Sequence, residues 1–217
     1  KRAAHLATYS ARFYEGRYAT GVLAGRMSKS GIIGYVAAFP IPEVVQGINA
    51  FALGMRAVNP RAQMKVVWVN AWYDPGRERD AANTLMNQGA DVLTHHTDST
   101  AVVAAAEEKG RMSIGYHSDM SRFGPRGQLT AVSHHWGEHY TRVARAVLDG
   151  TWKPAALWGG LREGSLHGGE TQAPLEGVLA PLRAGFRYVA THRRTRGGYL
   201  RRTDDAQIAA YSSRAGG

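Results

Sequence analysis

IIGYVAAFPIPEVVQGINAFALGMRAVNPRAQMKVVWVN, residues 32–70, sets the architecture of the chain. Its opening run, 32–38, is apolar without a helical period, as in a strand covered on both faces. After FPIPE the pattern changes: Val44, Ile48, Phe51 and Met55 recur at helical spacing. Pro42 sits in the first turn, where its missing N–H would have no partner anyway. Residues 65–70, KVVWVN, return to a strand. Strand, helix and strand within one short stretch make a βαβ unit, and therefore a parallel sheet.

The unit repeats on both sides. Asp74-Pro75 is a cap followed by proline that starts a helix running to Asn87, and Gly89 ends it. Residues 91–94 read as the next strand, and Thr97-Asp98-Ser99 as the cap of a helix reaching Lys109. Further strands are expected at 112–116 and 129–133, with a helix over 136–148. Residues 11–27 look helical, with Phe13, Tyr14 and Tyr18 on one side and Val22 and Leu23 beyond. After Gly164 the periodicity fails, and the remainder, rich in Arg, Gly and Ala, is expected to be loosely ordered. The fold class is α/β: a Rossmann-like parallel sheet with helices on both faces, over residues 31–160. Such sheets bind ligands outside the carboxyl ends of their strands.

Composition narrows the chemistry. With 44% apolar residues a substantial core is expected, and with no cysteine there is neither a disulfide framework nor a thiolate site. No run of about 18 apolar residues offers a membrane span, and KRAAHLATYS at the start has no apolar signal segment. The formal charge of +10 suggests nucleic acid, but after Ser165 there are 8 Lys and Arg against 4 Asp and Glu, many of them in the run Arg193 to Arg202. Elsewhere basic residues are interleaved with acids, so no nucleic-acid face is expected. There is no G-x-S-x-G elbow, Walker loop or G-x-G-x-x-G after a strand, and FPIPE has no glycine to cradle a phosphate. The chain reads as non-catalytic, without a cofactor.

The strand ends carry the candidate site. In chain order they present Phe39, then Trp72, then Asp98, then His117 and Asp119, then His134. Aromatic faces beside a few oriented polar groups suit a flat, polar small molecule. Each residue also has a plain structural role: Phe39 and Trp72 as staples of a helix start, Asp74 and Asp98 as N-caps. Convergence on one edge favours binding. A metal site is the alternative: His135 and His139 stand four apart around Glu138, with His134, His117 and the His95-His96 pair on neighbouring segments.

The strings GYVAAFPIPEVVQGINAFALGMRAVNP and VVWVNAWYDPGRERDAANTLMNQGADVL, followed by AAEEKG, IGYHSDMSRFGP, LTAV, HWGEHYTRV and VLDGTWKP, resemble the basic membrane protein family of ABC-transporter solute-binding proteins. The resemblance runs from about Tyr9 to Gly164. It implies a type I periplasmic binding protein with two lobes closing on a ligand, which is a purine nucleoside or nucleobase. It also implies delivery to ABC permease subunits, a periplasmic or cell-surface location with or without a lipid anchor, and a monomer. Trp72 matches an aromatic that stacks on the base. His117 stands where the nucleoside branch has an aspartate for ribose hydroxyls, and His134 where it has a lysine. By the same resemblance the first lobe is largely missing. Residues 1–30 would be an inter-lobe connection, 31–160 the second lobe, and 161–217 a tail foreign to the family, as a shifted reading frame would produce. Half a cleft implies weak binding. A sensor domain of the same fold is the other alternative.

Overall fold

The computed structural model describes residues 5–168. In chain order its elements are β1 (Tyr9–Ala11), α1 (Phe13–Met27), β2 (Ile32–Ala37), α2 (Pro42–Val58), β3 (Gln63–Trp68), α3 (Pro75–Asn87) and β4 (Val92–His96). There follow α4 (Ala101–Glu108), β5 (Met112–His117), β6 (Gln128–His134), α5 (Gly137–Leu148), β7 (Leu157–Gly159) and β8 (Leu166–Gly168). The main sheet has the order β3-β2-β4-β5-β6-β8. Its first five strands are parallel, and β8 runs antiparallel to β6. A separate parallel pair joins β1 to β7.

Side-chain alternation in β2 explains why both faces must be covered. Ile33, Tyr35 and Ala37 enter one core with Leu23 of α1 and with Val44, Phe51 and Met55 of α2. Val36 points the other way, into a core with Ala82 and Leu85 of α3 and Val102 and Ala105 of α4. Residues i and i+2 of a strand share a face, so one strand feeds both layers. The contact between α1 and α2 is unusually close because glycines stand at the crossing. A Cβ on Gly21 would lie 2.1 Å from the Phe51 carbonyl oxygen, and one on Gly54 2.1 Å from that of Tyr18.

The winding direction reverses at β2. The chain passes from β2 through α2 to β3 on one side of it, then through α3 to β4 on the other. At such a switch point the connections leave the carboxyl ends of adjacent strands in opposite directions and open a crevice. Here the crevice lies between the ends of β2 and β4.

Several boundaries differ from those expected from sequence. β3 covers 63–68 rather than 65–70: Gln63 N donates to Gly31 O at 2.8 Å, and Asn70 turns to a φ of 53°. β4 extends through His96, because His95 and His96 pair with Val36 and Ala37; both imidazoles are therefore buried in the sheet rather than carried on a loop. The expected Asp98 cap of α4 is not formed. Ser99 Oγ instead accepts from Ala101 N at 3.2 Å, while Asp74 does cap α3, accepting from Arg77 N at 3.0 Å. Residues 161–168, expected as part of a loose tail, pack on the sheet. Leu166 is buried against Phe13, Tyr116 and Val132, and opposes His134 in the β6–β8 ladder. The rest of the expected tail, 169–217, lies outside the described residues, as do residues 1–4.

Candidate functional site

A cavity of about 510 Å³ opens at the crevice. The first turn of α2 gives it Pro42, Glu43 and Val45, and the second gives Gln46 and Gly47. Phe13 and Tyr14 of α1 form another wall, His96 closes it from the end of β4, and Trp158 of β7 stands at its mouth. The set is amphipathic: three aromatic rings, a carboxylate, an amide and an imidazole.

Beside the cavity a row of rings follows the carboxyl edge of the sheet. Phe39 and Trp72 have centroids 5.4 Å apart, and Trp72 is 6.2 Å from His96. His96 lies 4.4 Å from Tyr116, and Tyr116 lies 3.8 Å from His117. His117 is 4.6 Å from His134, which stacks on Trp136 at 5.3 Å with 22° between planes. Phe13 reaches down from α1 to stack on His117 at 5.1 Å. Each ring stands at or just past a strand end, so strand register spaces the row.

The imidazoles in this row are held below the usual histidine range. Burial, followed by the charges of Arg17 and His117, holds His96 down to about 2. Burial with Arg17 brings His95 to about 3, and burial with His134 and Arg17 does the same for His117. Burial also lowers His134. A neutral imidazole offers one donor and one acceptor, which suits recognition of an uncharged polar ring. His117 also sits at a φ of 62°, a left-handed conformation in which His and Asn are more common than most residues.

Of the six residues expected from sequence, four join the ring row: Phe39, Trp72, His117 and His134. Trp72 is 40% exposed and stands beside the cavity lining rather than in it. The other two do not join it. Asp98 is tied to Trp72 through its backbone, donating from N to Trp72 O at 2.7 Å. Its carboxyl group, raised by burial and by the charge of Glu78, lines a separate shallow depression with Tyr73 and Arg79. Asp119 fastens the β5–β6 loop, accepting from Ser121 N at 2.9 Å, Ser121 Oγ at 3.0 Å and Gln128 Nε2 at 2.8 Å. For the alternative metal reading, no three His, Asp or Glu side chains gather with ligating spacing among the described residues.

Sequence reasoning missed Phe13, Arg17, Tyr116 and Trp158. Arg17 is fully buried, under the sheet-facing side of α1. Its guanidinium lies 4.7 Å from the ring centre of Tyr116, 5.2 Å from Phe13 and 5.4 Å from Tyr35. One signal was available: Phe13, Arg17, Gly21 and Ala24 share a helix face, and an arginine on a face otherwise apolar or small is an anomaly.

Residues 1–177 match the family model described as ABC transporter substrate-binding protein PnrA-like. A purine-binding protein of Brucella abortus is 54% identical over 164 residues, covering 76% of this chain and 47% of that protein. A putative ABC transporter glucose-binding protein of Haloferax volcanii is 45% identical over 160 residues, covering 74% of this chain and 41% of that protein. The chain thus spans less than half the length of these relatives. An ABC transporter solute-binding protein from Conexibacter woesei superposes with a TM-score of 0.74 at 19% identity, over 88% of this chain and 65% of that one. That likeness establishes the fold, a type I periplasmic binding protein lobe. The family model covers most of the chain, and the chain belongs to the PnrA-like family of ABC transporter substrate-binding proteins.

Proposed function

We propose that this lobe holds a purine nucleobase, or a similarly flat polar heterocycle, for an extracytoplasmic importer whose permease takes up the captured solute. The observation that carries the reading is the ring row beside the cavity at the switch point, with Trp72 40% exposed within it. Stacking on an aromatic is worth about 1–3 kcal/mol per base. Neutral imidazoles supply hydrogen bonds without demanding a charged ligand. A free base is preferred to a nucleoside in this reading, because Asp98 lines a separate depression and Asp119 is held by the β5–β6 loop, so neither lines the cavity. The Brucella relative's description as purine-binding supports the same class. In this reading residues 1–30 form the connection between lobes. The parallel pair β1–β7 carries the two crossings, braced by Arg12, whose Nε meets Glu15 at 2.6 Å and whose other nitrogens reach Glu163 and the Trp158 carbonyl.

A sugar is the second reading, favoured by Glu43 and Gln46 in the cavity wall and by the Haloferax relative. A thermal-shift screen with adenine, hypoxanthine, guanosine, inosine, glucose and zinc separates the readings. A ligand that binds only the folded state raises the midpoint in proportion to ln(1 + [L]/Kd). A shift with bases at millimolar concentration or below supports the proposal. A shift with glucose or zinc and none with purines overturns it.

A further inference from the structure

Glu78, in the first turn of α3, is fully buried, and no cation pairs with it among the described residues. A carboxylate is costly to bury unless its oxygens are hydrogen-bonded. Three donors meet that need. Oε1 accepts from Asp74 N at 3.1 Å, and Oε2 accepts from Thr97 Oγ1 and from Ser99 Oγ, both at 2.7 Å. Thr97 and Ser99 are buried as well. Hydroxyl donors this close to a carboxylate make strong, charge-assisted bonds.

The three donors come from two connections at the carboxyl edge of the sheet. Asp74 ends the β3–α3 loop, two residues after Trp72, while Thr97 and Ser99 flank Asp98 in the β4–α4 loop. The two loops also meet directly, where Asp98 N donates to Trp72 O at 2.7 Å. Trp72 is therefore held from both sides by segments that Glu78 fastens. Its ring has little other support: it is 40% exposed, with Phe39 at 5.4 Å and His96 at 6.2 Å between centroids.

We infer that Glu78 is a positioning residue for solute binding: by joining the β3–α3 and β4–α4 loops beneath the rim, its carboxylate fixes Trp72 in the orientation from which the ring stacks on the solute. This role rests on the stacking proposed for Trp72. A carboxylate suits the place because both of its oxygens accept. Glutamine has nearly the same shape but a single acceptor oxygen, which can serve Asp74 N or the two hydroxyls and not both. One loop is then released while the packed volume stays the same. A rim that is loose in the free protein has to be ordered when the solute arrives, and affinity falls.

Calorimetric titration of adenine and hypoxanthine into the wild-type chain, Glu78→Gln, Trp72→Ala and the double variant tests it. Loss of the stacking ring should weaken binding about tenfold, and Glu78→Gln alone about threefold to tenfold. The double variant should bind no more weakly than Trp72→Ala, because a positioning role disappears with the ring it positions. Asp91→Asn separates position from stability: Asp91 ties Ser28, Lys29 and Ser30 at the opposite edge of the sheet, so its loss should lower Tm and leave base affinity unchanged. Thr97→Val removes one donor to Glu78 at constant shape and should repeat the weakening, which keeps the test open if Glu78→Gln does not fold. If Glu78→Gln or Thr97→Val folds and binds as tightly as wild type while Trp72→Ala binds weakly, the role of Glu78 is overturned and the stacking reading stands. Losses that simply add in the double variant overturn it too. If Trp72→Ala binds like wild type, or wild type binds neither base, the stacking reading fails and the role of Glu78 with it.

Discussion

Replacing Gly54 with alanine adds one methyl group where α1 crosses α2, and the structure fixes what that methyl meets. It would lie 2.1 Å from the Tyr18 carbonyl oxygen, 3.0 Å from the Tyr18 carbonyl carbon and 3.0 Å from Val22 N. Normal contacts between heavy atoms lie near ~3.5–4 Å, so the helices must separate by about an ångström or more. All three obstacles are backbone atoms, which no rotamer change can move aside. Alanine's better helix propensity offers about 1 kcal/mol in return. Overpacking a close-packed core costs roughly 1–3 kcal/mol, occasionally more, and a rigid backbone clash belongs at the upper end. The net expectation is about 2 kcal/mol of destabilisation, a fall in Tm of roughly 4–8 °C for a chain of this size. Differential scanning calorimetry of Gly54→Ala against Gly76→Ala reads it. Gly76 is exposed in the first turn of α3 and its added methyl would meet only Asp74 Oδ1, at 3.5 Å, so its Tm should change by less than 2 °C. Equal midpoints for the two variants would refute the close α1–α2 crossing.

Two further predictions concern pH. Although partial burial pulls the other way, hydrogen bonds from Ser28 Oγ and from the backbone of Ser30 and Lys29 hold the Asp91 carboxyl below the usual carboxylate range. The stability it contributes is therefore present above the unfolded carboxylate value of about 4 and lost as pH falls through the folded one. Asp91→Asn should lower unfolding free energy by about 1–2 kcal/mol at pH 7, with the gap to wild type narrowing at pH 3, as read by urea unfolding; a gap independent of pH would contradict the assignment. The histidines act in the same direction: with His95 and His117 held near 3 and His96 near 2, the folded state binds fewer protons than the unfolded chain below about pH 6.5. Their ring proton shifts in NMR should stay flat from pH 8 to pH 5, and a midpoint near 6.5 for His96 would show that the ring is not enclosed as described.

The alternation of strands and helices was legible because it rests on burial, and burial leaves a period in the sequence. Ile33, Tyr35 and Ala37 against Val36 encode two covered faces, and Val44, Ile48, Phe51 and Met55 encode one helix stripe. The aromatic strand ends could be listed for the same reason. What could not be read was direction. Asp98 and His96 stand two residues apart, yet the carboxylate lines an outer depression while the imidazole faces the cavity, an outcome set by how far the β2–β4 ladder continues. Asp119 resembles a ligand group in sequence, but three loop donors claim it. β8 is three residues, LHG, too short to show alternation, and it forms because β6 offers it an edge. Arg17 was hidden by the habit of reading a helical arginine as solvent-facing.

Ligand capture by this rim meets its sharpest test in Trp72→Ala, titrated calorimetrically with a purine base beside the wild-type chain. Trp72 is 40% exposed and touches Phe39 at one edge, so its loss should move Tm by only a few degrees. If its ring stacks on the base, affinity falls tenfold or more, in line with about 1–3 kcal/mol per stacked base. Unchanged base affinity in a folded Trp72→Ala protein would show that the solute, if one binds, sits elsewhere.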